Sequence, residues 1–210
     1  MLRQITKMIR ISYDSLSREL VLKCMPGPGH PVATSHFYLC VAEEYLGQMN
    51  HSLTSVCLCQ GATLYQISAT RMKQADAVFK PAGGPWGGLP SFVVETRTTE
   101  TYAMLKQDVF TWLATGEVAL VFLMIIDQAP AQPAVELEVW ELRAGRVTRA
   151  SAGTQRGPRL VYLNPATAPL GYVAPALSIP YALLGALAPP GAPDLVVSMD
   201  MWAAVVWWDC

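Results

Sequence analysis

Charged residues are scarce in this chain of 210 residues, at 15% of the sequence against 52% apolar residues. The 15 Lys and Arg residues nearly balance the 16 Asp and Glu residues, so the formal net charge is −1. A chain without excess positive charge has no overall attraction to nucleic acid, and such binding would require a local patch. A composition this apolar also indicates an interface or limited solubility.

Long apolar runs are absent as well. The longest, Ala119–Ile126 and Met199–Trp208, fall short of the ~20 residues that a membrane-spanning helix needs, so no membrane partner is expected. Residues 1–10 lack the apolar segment of a secretory signal. We therefore expect an intracellular protein, cytoplasmic or nuclear, with reduced thiols. Cys57 and Cys59 lack the spacing and the second pair of a zinc site, which favours buried thiols.

Several catalytic motifs are missing. The sequence has no G-x-S-x-G, no G-x-x-x-x-G-K-[ST] and no G-x-G-x-x-G, the signatures of serine hydrolases, phosphate-binding loops and dinucleotide-binding folds. The three histidines, His30, His36 and His51, are spread over a predicted loop and one predicted helix. His30 and His36 do not share a helical face, so a zinc-binding pair is not expected.

Hydrophobic periodicity predicts strands interrupted by two helices. The first helix is predicted from about Thr34 to Asn50, capped by Thr34 or Ser35, and the second is capped by Thr98 or Thr99 and ended by Gly116. The predicted strands are a hairpin over Ile9–Lys23, then Leu53–Leu58, Thr63–Ser68, Ala75–Phe79, Ser91–Glu95, Val118–Ile126, a half-solvated Ala134–Glu141, and Leu160–Leu163. This order predicts a sheet with helices on both sides.

Asp76 and Glu95 are the residues most suggestive of chemistry. Each lies in an apolar predicted strand, where burying an acid costs several kcal/mol unless it is paired or bound to metal. Neighbouring strands lie about 4.8 Å apart, so two such carboxylates can share one hard cation. A cation held in this way activates water and stabilises the leaving oxygen of a phosphodiester. Arg97 follows two residues after Glu95 and is expected on the same face.

Four segments resemble those of a group of uncharacterised fungal proteins in the PD-(D/E)XK nuclease-like superfamily. They are Lys73–Pro81, similar to "K-x-P-D-x-x-F-x-P", Phe92–Glu95, similar to "L-V-V-E-V-G", Thr99–Leu113, similar to "S-E-S-x-x-x-L-x-x-D-A-x-W-W-L", and Gly116–Val121, similar to "G-E-V-K-I-V". The resemblance extends over roughly Ile9–Leu142 and is weaker beyond it.

The resemblance implies an α/β (α+β) fold with a restriction-endonuclease-like core, a mixed central sheet flanked by helices, and an N-terminal hairpin. It implies one domain over residues 1–210, with a core of about 30–142 and a C-terminal extension over 143–210. The superfamily's metal-binding acids fall on Asp76 and Glu95 and its catalytic lysine on Arg97. Glu44 or Glu43 in the first helix, and Lys106, are the candidate supporting residues. The implied cofactor is Mg²⁺ or Mn²⁺ and the implied substrate is nucleic acid.

Three departures from the superfamily pattern leave two functions open. Ala75 replaces the proline before the first acid, and His30-Pro31 replaces a His-Glu pair. Arg97 stays protonated and cannot act as a base. The chain is therefore either a metal-dependent nuclease or a catalytically inactive binding protein on the same scaffold.

Each of these residues also has a simpler structural interpretation. Asp76 alone is typical of a turn or a strand edge, and Glu95 alone could cap a helix or pair with Arg97. Asp108 is expected to be solvated on the polar side of the second helix, and Trp112 is expected in the core.

Overall fold

The computed structural model describes residues 9–24, 29–49, 56–60, 63–81, 88–97, 101–127, 134–142, 153–180, 183, 193–200 and 202. These ranges form a mixed α+β fold with several sheets and few helices. In chain order the elements are β1 (Ile9–Asp14), β2 (Glu19–Cys24), α1 (Gly29–Met49), β3 (Val56–Gln60), β4 (Leu64–Gln66), β5 (Arg71–Gln74), β6 (Ala77–Pro81), β7 (Phe92–Arg97), α2 (Tyr102–Leu113), β8 (Leu120–Asp127), β9 (Ala134–Leu142), β10 (Gly153–Gln155), β11 (Leu160–Leu163), β12 (Leu177–Ile179) and β13 (Leu195–Val197).

The central sheet has the strand order β10-β9-β8-β7-β6-β3, and β11 also pairs with β9. All of its pairs are antiparallel except β7 with β8, which are parallel because α2 carries the chain back across the sheet. Residues of β7 alternate between the two faces, since Phe92 and Val94 pack with α1 while Val93 packs with α2. The predicted sheet with helices on both sides is therefore confirmed.

A smaller antiparallel sheet has the order β2-β1-β5-β4. The predicted hairpin is confirmed as β1 and β2, in register from Ile9 opposite Cys24 to Asp14 opposite Glu19. Asp14 Oδ1 accepts a hydrogen bond from Leu16 N at 2.9 Å, as a turn-forming aspartate does. The chain passes from this sheet into the central one between β5 and β6.

Several boundaries differ from the sequence prediction, and three of these differences have a clear local basis. Helix α1 begins at Gly29, five residues before the predicted cap at Thr34, because a proline in the first turn, here Pro31, breaks no helical hydrogen bond. The N-cap of α2 is Thr101, whose side chain accepts from Met104 N at 3.4 Å, and the predicted caps lie outside the described residues. The predicted strand over Ala75–Phe79 is interrupted at its start, and only β6 continues in the central sheet.

The described residues after 142 pack into the same core as the earlier part of the chain. Strands β10 and β11 extend the central sheet, and β12 and β13 bury Leu177 and Val197 beside α1. Trp202 is fully buried, donates a hydrogen bond to Ala33 O at 2.9 Å and meets the Phe37 ring edge-on at 6.0 Å. In the described part of the chain, no helix combines the length and apolarity needed to span a membrane.

Replacing Trp202 with alanine tests whether the C-terminal part of the chain stabilises the whole fold. We expect Trp202→Ala to lower the free energy of unfolding by about 3–5 kcal/mol, since it leaves a cavity and strands a backbone acceptor. Denaturant unfolding measures the change. Leu170→Ala is the control, because Leu170 is fully exposed and its loss should cost less than about 0.5 kcal/mol. Equal effects of the two changes would contradict the packing described for Trp202.

Candidate functional site

Asp76 lies at the bend between β5 and β6. The β6–β7 register pairs Ala77 with Val94, so one further step along the strands brings Asp76 opposite Glu95. The Asp76 backbone N–H donates to Val94 O at 3.2 Å, and its side-chain Oδ2 accepts from the Thr96 backbone N–H at 2.5 Å. The Asp76 carboxylate thus accepts a hydrogen bond from the backbone of β7, as a backbone carbonyl of a paired strand would.

Glu95 is buried in the middle of β7, with 3% of its surface exposed. Its Oε1 atom accepts a hydrogen bond from Trp112 Nε1 at 2.5 Å, across the interface between the sheet and α2. The same oxygen lies 2.9 Å from Lys73 Nζ. The ion pair with the Lys73 ammonium offsets the cost of removing the Glu95 carboxylate from water.

Lys73 comes from β5 and is as deeply buried as Glu95, with 2% of its surface exposed. Its ammonium makes a second ion pair with Asp108 Oδ1 on α2 at 3.1 Å. It also lies 5.6 Å from the centre of the Trp112 ring, within range of a cation–π contact. We call Lys73, Glu95, Asp108 and Trp112 the Lys73 cluster.

Two expectations about α2 have different outcomes. The side chain of Asp108 is only 13% exposed and paired with Lys73, so the prediction that it is a solvated residue was wrong. Trp112 is fully buried, which confirms its prediction as a core residue. Its ring also meets Tyr65 of β4 edge-on at 6.1 Å, so it contacts the small sheet as well. Sequence reasoning missed Lys73, although it lies in the strand segment just before Asp76.

The other predicted site residues lie at varying distances from Glu95. Arg97 is two residues further along β7 and partly exposed, on the same face by strand alternation. Glu44 and Glu43 belong to α1, which packs on the opposite face of the sheet from α2. Lys106 Nζ lies over the Trp140 ring at 5.0 Å and the Phe110 ring at 5.7 Å, against β9. Asp76 and Glu95 are thus the residues next to the Ala77–Val94 pair, whereas Glu44 lies on α1, across the sheet from α2.

A divalent cation shared by Asp76 and Glu95 does not fit this arrangement. Glu95 Oε1 already contacts an ammonium and an indole N–H, and Asp76 Oδ2 accepts a backbone hydrogen bond. The two acids are only 4% and 3% exposed, which leaves no open position for the water and phosphate oxygens that Mg²⁺ retains. Within the ranges that the structure describes, no three His, Cys, Asp or Glu side chains form a metal-binding group.

A third buried acid lies on β9, the strand predicted to be half-solvated. Glu138 is 1% exposed and accepts from Arg159 Nε at 2.7 Å, Trp140 Nε1 at 2.9 Å and the Tyr102 hydroxyl at 3.0 Å. Burial, followed by the neighbouring Glu138, raises the pKa of Tyr102. The prediction failed for Glu138 because two of its partners, Tyr102 and Arg159, come from α2 and from the segment before β11. The only local signal was Trp140, two residues away on the same face.

Comparison with known proteins finds a similarity in structure but no matching family model or curated sequence. No protein-family model matches the chain, and no curated protein sequence matches it. Among solved structures, a candidate nuclease of the DUF820 group from Anabaena variabilis is similar, at 12% identity and a TM-score of 0.43. The match covers 67% of this chain and 83% of that protein. Likeness at this level carries no argument about activity, so the restriction-endonuclease-like core and the fungal relationship stay predictions.

The Lys73 cluster is expected to contribute strongly to stability. Lys73→Met leaves two buried carboxylates without their cation and should lower the free energy of unfolding by about 3–5 kcal/mol. Glu95→Gln keeps an acceptor for Trp112 and should cost less, about 1–3 kcal/mol. The double variant should lose about 1–3 kcal/mol less stability than the sum of the two single variants, because both changes remove the same contact. Denaturant unfolding of the four proteins measures this coupling.

Lys106→Met is the matched control for the loss of a lysine. Its ammonium lies over aromatic rings and no described ion pair involves it, so the change should cost about 1 kcal/mol or less. Additive effects of the Lys73 and Glu95 substitutions, or equal effects of the two lysine substitutions, would contradict the buried pair.

Cys40 on α1 is expected to react slowly. Burial, together with the charges of Glu43 and Glu44, raises the pKa of the Cys40 thiol to about 11, so its thiolate is rare at pH 8. Alkylation at pH 8 should be at least about a hundredfold slower in the native than in the unfolded protein, where a cysteine has a pKa of about 8.5. Mass spectrometry of the Cys40 peptide over time measures both rates. Similar rates in the two states would contradict this environment.

Proposed function

We propose that this chain is a catalytically inactive binding protein on a nuclease-like scaffold, in which the motif acids stabilise the fold. The Lys73 cluster is the observation that supports this function. The Lys73 ammonium lies 2.9 Å from Glu95 and 3.1 Å from Asp108, so Glu95, one of the two predicted metal ligands, already has an internal cation beside it. A nuclease acid must remain open to metal and substrate, whereas Glu95 is enclosed by the sheet and α2.

Asp76 supports the same function. Its Oδ2 accepts a hydrogen bond from the Thr96 backbone, and the Thr96 hydroxyl lies 2.9 Å from the Thr34 hydroxyl of α1. Both contacts join elements of the scaffold around the bend between the two sheets. An acid with this role stabilises the fold whether or not catalysis takes place.

The distribution of charge favours a protein partner over nucleic acid. Arg156 pairs with Glu141 at 3.1 Å, and Arg159 pairs with Glu136 and Glu138 at 2.5 Å each. Lys73 pairs with Glu95 and Asp108, so these three cations already have carboxylate partners within the chain. Phosphate binding requires cations that replace the counterions of the backbone, and a net charge of −1 supplies no excess.

A metal-dependent nuclease acting on DNA or RNA is the second candidate, with Mg²⁺ or Mn²⁺ as its cofactor. One observation favours it: Asp76 and Glu95 adjoin the Ala77–Val94 pair of β6 and β7, and two acids that share a cation must come from adjacent segments. This candidate also needs Lys73 to leave Glu95, with Arg97 remaining as a cation that can orient phosphate but cannot take up a proton.

Metal binding and cleavage distinguish the two candidates. We expect the wild-type protein to show no saturable Mn²⁺ binding by calorimetry and no cleavage of single- or double-stranded DNA or of RNA above the level of Asp76→Ala and Glu95→Ala. Lys73→Ala removes the internal cation from two buried carboxylates, so this variant should gain Mn²⁺ binding. Glu141→Gln is the control for acid loss away from the Lys73 cluster.

Two results would overturn the proposal. One is wild-type Mn²⁺ binding that is lost in both Asp76→Ala and Glu95→Ala while circular dichroism shows that these variants remain folded. The other is metal-dependent cleavage that follows the same pattern and survives in Glu141→Gln.

A further inference from the structure

The small sheet presents an apolar face on the side away from Lys73. The register β2-β1-β5-β4 aligns Leu22, Ile11, Gln74 and Leu64 in one row and Leu20, Tyr13, Met72 and Gln66 in the next. Strand alternation directs these residues to one face and Lys73 to the other. The exposed apolar residues of this face are Leu20 at 56%, Leu22 at 55%, Ile11 at 40%, Tyr13 at 39% and Leu64 at 38%. An exposed apolar surface of this kind marks a site of association.

Strand β2 forms one edge of this sheet. Within the described ranges, β2 pairs with β1 and with no other strand. An edge strand of six residues presents a row of backbone donors and acceptors that can pair with another strand. Pairing this edge with another strand would satisfy those backbone groups and would bury part of the Leu20 and Leu22 side chains at the seam.

We propose that β2 pairs antiparallel with β2 of a second copy of this chain, forming a two-fold symmetric dimer with a continuous sheet. Centring the pairing on Val21 sets Glu19 opposite position 23 of the partner, which is a lysine. It also sets Leu20 opposite the partner's Leu22. The two-fold axis repeats both pairs, so one strand sequence supplies two opposite-charge pairs and two leucine pairs.

Two requirements select this register over the registers shifted by one or two residues. The leucines of both copies must project to the same face, and opposite charges must lie opposite each other. Opposed residues of antiparallel strands project to the same face, so a shift by one residue would direct the partner's leucines to the other side of the sheet. A shift by two keeps the faces but sets Leu20 opposite itself or opposite Cys24, and the Glu19–Lys23 pairs are lost. Only the register centred on Val21 keeps the apolar face continuous and matches opposite charges.

A charge swap tests the register directly. Sedimentation over a concentration range up to about 100 µM should detect a dimer of the full chain. Glu19→Lys and Lys23→Glu each set like charges opposite each other twice, so each should weaken the dimer by roughly tenfold or more. The double variant E19K/K23E restores both pairs in reverse and should regain the wild-type dissociation constant to within about threefold.

Two controls keep the result interpretable. Thermal unfolding establishes that each variant is folded, since residues 19 and 23 lie in the hairpin itself. Hydrogen exchange of the β2 peptide should slow as the wild-type concentration rises and should not slow in Glu19→Lys. A monomer at all concentrations would overturn the proposal. So would a dimer that is insensitive to the single swaps, which would indicate association through the apolar face alone.

The inference does not depend on the proposed function. Failure of the charge swap leaves the Mn²⁺ and cleavage experiments unaffected, because β1 separates β2 from β5, the strand that carries Lys73. Conversely, a cleaving enzyme could still form this dimer.

Discussion

The buried ammonium of Lys73 is the interaction on which the arrangement of this protein depends. Lys73 lies on β5 of the small sheet. Its ammonium pairs with Glu95 of the central sheet and with Asp108 of α2, so it connects the three elements. A charge with 2% exposure is tolerated only where its partners are fixed, so the three elements must assemble together. Trp112 closes the same junction by hydrogen bonding to Glu95 and packing against Tyr65.

This constraint connects the fold to the proposed function. The acids that the sequence singles out come from adjacent segments, Asp76 from the bend before β6 and Glu95 from β7, yet the cation beside Glu95 belongs to the chain itself. An internal ammonium satisfies the carboxylate without leaving open positions for water or phosphate. In the proposed function, the buried acids stabilise the scaffold, and binding is assigned to its surface.

Much of the fold followed from local pattern, and the failures have physical causes. The hairpin, α2 and β8 were predicted because alternation, helical spacing and a continuous apolar run each report burial directly. The start of α1 was missed because glycine and proline usually signal a break, although proline fits the first helical turn. Glu138 was missed because an acid in an alternating strand indicates solvent unless its partners are known.

The sequence by itself determined which residues are apolar, where strands and helices recur, and that Asp76 and Glu95 are acids in apolar surroundings, since these properties are local. Only the tertiary structure decided what neutralises Glu95. Lys73, Glu95 and Asp108 are separated by many residues along the chain and converge only when β5, β7 and α2 pack together. The electrostatic cost of burial is a property of that assembled environment, and no local pattern encodes it.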